Sequence, residues 1–237
     1  MKFIVNKGKF TLGVVLMLSF LAALIVIVSP VIRGQTGLQY ADNLFNELTK
    51  QSSYYIPDIA KKASKFNGER FEVDVKAKSR DEAEMIAKIC RTVGASAAVG
   101  RNSVTVCGDL GNTADAALKD ADLVFNGQDS GIRAKYGCDG KTAIRCWWLV
   151  FSAEQKRSFR NGKYAEALFL KSVVVRALEP AHNFVGIKSA RISERIGIVI
   201  FLLAFYIVYT IWWGVGVMCL FDGLGLTTSR SAEKKEA

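Results

Sequence analysis

Five cysteines and one histidine are the residues of this 237-residue chain whose types most readily do chemistry. Cys90, Cys107, Cys138 and Cys146 lie in its middle, at spacings of 17, 31 and 8 residues, and Cys219 lies near its end. Four-thiolate zinc sites are built from short C-x₂₋₄-C pairs, and these spacings supply none. An even set of cysteines in one region reads instead as two disulfides in an oxidising compartment. Of the three connectivities, Cys90 to Cys107 with Cys138 to Cys146 joins sequence neighbours. Closing a loop of around 15 residues stabilises by roughly 3 kcal/mol in the chain-entropy model.

His182 follows Pro180-Ala181 and is the single histidine. One histidine can ligate a haem or sense pH beside a membrane, but an isolated one after a proline reads more simply as a local hydrogen-bonding group. There is no C-x-x-C-H for covalent haem, no C-x-x-C for thiol exchange and no G-x-S-x-G nucleophile elbow. The segment Val106-Cys-Gly-Asp-Leu-Gly-Asn precedes a helical pattern, yet it matches neither dinucleotide nor phosphate-loop glycine spacing. Gly108 and Gly111 are expected as turn residues, and Asp120 with Asp122 as acidic surface. No cofactor, metal or catalytic set is expected, and the chain reads as non-enzymatic.

The elements that must position these groups begin with two apolar runs. Ile196 to Phe221 is twenty-six residues without a charge, roughly 39 Å of helix against a hydrocarbon core of about 30 Å. Phe10 to Val28 is nineteen such residues after Lys2, Lys7 and Lys9. Its apolar core exceeds that of a secretory signal, and Ser-Pro-Val-Ile-Arg follows in place of a small-residue cleavage site, so it reads as an uncleaved anchor. The three lysines, and Arg230, Lys234 and Lys235 at the other end, put both termini in the cytoplasm of a bacterial inner membrane and residues ~33–192 in the periplasm. Lys and Arg number 4 against 0 acids in residues 1–33, 24 against 19 in 34–194, and 4 against 3 in 195–237. The mild excess in the middle suits anionic lipid headgroups or an acidic partner. No basic run is interleaved with aromatics, so no nucleic acid is expected.

Between the runs, Leu38, Ala41, Leu44, Phe45 and Leu48 mark an amphipathic helix, and Ile59, Ala60, Ala63 and Phe66 a shorter one. Arg70 to Ala77 alternates as a half-buried strand. Ser79 and Glu82 form a capping box opening a helix that buries Ala83, Ile86, Ile89, Cys90 and Val93 before Gly94. Ala95 to Cys107 reads as a hairpin, Ala114 to Phe125 as a helix, and Ala143 to Leu178 as two antiparallel helices joined at Asn161-Gly162 and ending near Pro180.

The expected class is α+β: two transmembrane helices flanking a periplasmic β-α-β-β-α domain followed by a helical hairpin. Its parts are a cytoplasmic start (1–9), a first span (10–32), membrane-proximal helices (33–69), the small domain (70–126), the hairpin region (127–192), a second span (193–222) and a cytoplasmic tail (223–237). In the hairpin, Trp147, Trp148, Lys156, Arg157, Arg160 and Lys163 are candidates for lipid or partner contact; the competing reading makes the tryptophans core and the cations a solvated face. In the second span, Trp212, Trp213 and the small-residue pair Thr210/Gly214 are candidates for helix contact. The expected role is to scaffold or stabilise a complex of other integral membrane subunits, a respiratory or electron-transfer assembly among them. The alternative is a periplasmic ligand-binding or sensing domain acting through membrane partners.

Overall fold

A computed structural model describes residues 4–226. The charges Lys2, Arg230, Lys234 and Lys235 lie outside the described residues. The chain divides into two compact units, one made of residues 1–45 with 190–237 and one of residues 46–189.

In the first unit, α1 (Lys7–Val28) and α10 (Ile192–Gly223) are long and apolar enough to cross a membrane. Asn6 opens α1 by accepting the Lys9 N–H on Oδ1 at 3.1 Å. The two helices are antiparallel: the N–H groups of Val5 and Asn6 donate to the Gly223 carbonyl at 2.9 and 3.0 Å. Lys9 Nζ lies 2.7 Å from Asp222 Oδ2. The start of α1 and the end of α10 therefore share one end of the pair.

Glycines set the approach of these helices. A Cβ at Gly13 would stand 2.7 Å from the Leu220 nitrogen, one at Gly223 2.6 Å from the Phe10 Cα, and one at Gly216 3.2 Å from Met17 Sδ. Phe20 fills the seam further along, stacked on Tyr209 at 4.2 Å and tilted on Trp213 at 4.8 Å. Tyr209, Gly216 and Gly223 recur every seven residues, the repeat that keeps one helix facing another. Most other apolar side chains of the pair face outward, Ile200, Phe201 and Ile211 among them. Water opposes such exposure, and hydrocarbon favours it.

The second unit is helical with a small sheet. After α2 (Gly37–Ser52), within which the unit boundary falls, come α3 (Ile56–Ala63) and a 3-10 turn (Ser64–Phe66). β1 (Arg70–Lys76) turns Phe71, Val73 and Val75 inward and the residues between them outward. α4 (Arg80–Thr92) starts at Ser79, whose Oγ accepts the Glu82 N–H at 3.2 Å. Glu82 answers on the Lys78 N–H at 2.6 Å, one residue before the reciprocal position of a capping box. β2 (Ser96–Val99) and β3 (Ser103–Asp109) complete an antiparallel sheet of order β1-β3-β2, with Val73 opposite Val106 and Val75 opposite Val104.

α5 (Leu110–Phe125) begins four residues before its expected start, because Asp109 Oδ1 accepts the Asn112 N–H at 2.8 Å and caps it. Gly111 is thus a helical residue, and Gly108 lies in β3. A Cβ at Gly111 would fall 2.2 Å from Asn67 Oδ1, so its need for glycine is close packing. α6 (Asp129–Tyr136) is unanticipated; Ile132 and Tyr136, four apart, bury one face, and Gly137 at φ +74° ends it. α7 (Gly140–Arg160) and α8 (Tyr164–Val173) form the hairpin, followed by a π turn (Val174–Leu178) and α9 (Glu179–Asn183). The chain stays helical past Pro180, which sits in the first turn of α9, where a missing N–H costs little. One core runs from Ile56 to Ala181 and includes Val73 and Val106 of the sheet with Ile144, Phe151 and Leu170 of the hairpin.

Candidate functional site

The interior of the second unit is organised around Asp120, which is 1% exposed on α5. Its Oδ2 accepts the Tyr136 hydroxyl at 2.5 Å and the Trp147 indole N–H at 2.9 Å, and Lys135 Nζ lies 2.9 Å from Oδ1. Burial and the adjacent carboxylate drive the Tyr136 phenol well above its usual range. Asp120 is therefore not surface, as its neighbour Asp122 suggested. Position carried the missed signal: Ala117, Ala121 and Val124 mark the buried stripe of α5, and Asp120 falls on it. Trp147 is fully buried, which removes it from the lipid or partner contacts and makes it core. Trp148 is 38% exposed, its N–H on Glu179 Oε1 at 3.2 Å.

No two of Cys90, Cys107, Cys138, Cys146 and Cys219 stand at disulfide distance in the structure, so the expected pairings are not seen there. The reasons are geometric. Side chains alternate across a strand, and Cys107 shares the parity of Thr105, opposite to the inward Val104 and Val106. Cys90 is buried on the helix-covered side. Cys138 precedes the cap of α7, whereas Cys146 stands two turns inside it. Burial pushes the Cys90 and Cys146 thiols up to about 12. His182 on α9 faces Asn183 Oδ1 at 3.4 Å. Among the described residues no group of three or more His, Cys, Asp or Glu could hold a metal ion.

At the hairpin tip the four cations divide into two pairs. Lys163 lies 2.7 Å from Glu166 Oε1, and Arg157 lies 3.6 Å from Glu154 Oε2. Lys156 and Arg160 are exposed and enter no ion pair among the described residues. Glu154 is 3% exposed; Ser158 donates to its Oε1 at 3.0 Å, and Oε2 has no hydrogen bond. Burial holds the Glu154 carboxyl above the usual carboxylate range. Beside these cations, Phe159 (64%), Tyr164 (60%) and Leu168 (65%) are exposed. The Phe159 and Tyr164 rings meet edge to face at 5.5 Å, and Leu168 lies one turn beyond Tyr164. No sequence reading singled out this patch, although the three apolar residues are four or five apart.

In the apolar pair, Trp212 and Trp213 serve the α1 to α10 seam through Phe20, with ring centroids at 6.5 and 4.8 Å, which accounts for their depth in the run. Thr210 donates to the Tyr206 carbonyl at 2.7 Å, and a Cβ at Gly214 would meet nothing within 4 Å. The Thr210/Gly214 face is open, and the seam uses Gly216 and Gly223 instead.

The second unit also holds a cleft of about 660 Å³ walled by the end of α2, the end of α5 and the segment after α9. Lys50, 5% exposed, lies against it; its ammonium donates to the carbonyls of Ile187 at 2.5 Å and Phe184 at 3.3 Å and sits 5.0 Å above the Phe125 ring.

These features define a chain with a mixed helical unit on a three-stranded sheet and two candidate membrane helices. No protein family, curated protein or solved structure matches it.

Proposed function

We propose that this chain is a non-enzymatic, two-pass inner-membrane protein whose 46–189 unit holds other integral subunits of a membrane complex. The carrying observation is the hairpin-tip patch: Phe159, Tyr164 and Leu168 exposed together beside Lys156, Arg160 and Lys171, all exposed. A contiguous apolar patch in water, rimmed by charge, is the usual mark of a protein contact, and its basic rim calls for an acidic partner surface. The open Thr210/Gly214 face would take a helix of the same partner. The shared end of α1 and α10 supports termini on one side of the bilayer, and the lysines of the N-terminus support the cytoplasmic side. The unit then faces the periplasm.

The test is a photo-crosslinkable residue at Leu168, irradiated in native membranes. A discrete protein adduct, absent with the same probe at the outward-facing Glu72, is expected; adducts to lipid alone would overturn the protein-contact reading. A second reading, a ligand-binding or sensing unit, draws on the cleft at Lys50.

A further inference from the structure

We infer that the cleft beside Lys50 binds a small organic anion, a carboxylate or phosphate carried on an apolar or planar body. The first reason is an uncompensated charge. Lys50 is 5% exposed, and among the described residues its contacts are neutral: two carbonyls and the Phe125 ring. Holding the carbonyls that follow α9 accounts for hydrogen bonds but not for a cation, since a neutral donor would do the same with less desolvation. Burial lowers the affinity of Lys50 for its proton, and no carboxylate offsets this.

The second reason is the composition of the walls. They carry Lys50 and Lys188 and no Asp or Glu. The acid behind them, Asp122, is engaged by the Tyr54 hydroxyl at 2.5 Å and by Asn126 Nδ2 at 3.0 Å. Gln51 accepts the Ser189 hydroxyl on Oε1, which leaves its amide N–H groups for an anion. The Tyr54 ring, 37% exposed and backed by the Phe125 ring at 5.2 Å, supplies an apolar surface for the body of the ligand. The volume is that of a small-molecule site. The walls come from both sequence ends of the 46–189 unit, Lys50 to Tyr54 and Gly186 to Ser189, so an occupant would tie these ends together.

The inference rests on the ligand-binding reading alone and does not involve the hairpin tip. Its test is saturation-transfer NMR on the full chain in nonionic detergent with phenylacetate, glycerol 3-phosphate as a soluble headgroup analogue, and uncharged benzyl alcohol. One or both anions should bind with a Kd below about 1 mM, phenylacetate alone indicating an organic acid and glycerol 3-phosphate alone a headgroup. Lys188→Glu, on the exposed rim, should weaken binding at least about tenfold, a loss of about 1.4 kcal/mol. Lys76→Glu, the same charge change on exposed β1, should leave it unchanged. Lys50→Met should abolish binding; if that variant fails to fold, Lys188→Glu decides. Binding of neither anion up to about 10 mM, equal binding of benzyl alcohol, or equal losses in Lys188→Glu and Lys76→Glu would overturn the inference.

Discussion

Removing the Asp120 carboxylate would strip one acceptor group from three donors at once, two of them on fully buried residues, Tyr136 and Trp147. Asp120→Ala is therefore expected to cost about 3–5 kcal/mol, a fall in Tm of at least about 6 °C in nonionic detergent. An unchanged Tm would show the network to be dispensable. Glu154 behaves oppositely. Its folded carboxyl binds a proton more tightly than the unfolded chain does, so its contribution is full below the ordinary value of 4.5 and is lost as pH rises through the raised one. Glu154→Gln should therefore lessen the fall of Tm as pH rises above 4.5 and leave the variant the more stable at neutral pH. The thiols give a third check: unfolding without reductant should release five titratable thiols, whereas two disulfides would leave one. In the folded protein Cys107 should react before the buried Cys90 and Cys146. Residue types alone carried little of this. Counting cysteines suggests bonds that the structure does not place at bonding distance, and an Asp beside another Asp reads as surface although it falls on the buried stripe of α5.

Elements were more readable, because periodicity and caps are local. Alternation over Arg70 to Lys76, the Ser79 cap and the Asn161-Gly162 turn all correspond to structure. α6 was hidden because its buried face consists of only Ile132 and Tyr136 amid polar and glycine residues. The helix seam was hidden for another reason: small residues four apart point to Thr210/Gly214, whereas the pair packs at a seven-residue repeat through Tyr209, Gly216 and Gly223. The distinction is testable. Gly216→Leu, with Met17 at 3.2 Å from an added Cβ, should loosen the pair, and Gly214→Leu, with nothing near, should not. A Lys9→Cys/Asp222→Cys crosslink, formed in a background lacking the native cysteines, would report it: retained in Gly214→Leu and diminished in Gly216→Leu. Equal crosslinking in both would contradict the seam.

For the whole molecule, two apolar helices and an intervening folded unit could be read directly, since an uncharged run of twenty-six residues has few other uses. The single core joining sheet and hairpin could not, because the packing of β1 against α7 joins residues far apart in sequence and leaves no local pattern. The hairpin-tip patch, likewise, exists only once folding has decided which apolar residues remain outside. The central claim is that this patch holds a partner. The most direct measurement is native electrophoresis of the chain extracted from its own membranes in mild nonionic detergent, beside a Phe159→Ser/Tyr164→Ser/Leu168→Gln variant. The unaltered chain should migrate in a larger assembly with a co-purifying membrane subunit, and the variant, with its Tm unchanged, should lose that subunit. Migration of the unaltered chain as a lone monomer, or retention of the same partner by the variant, would contradict the account.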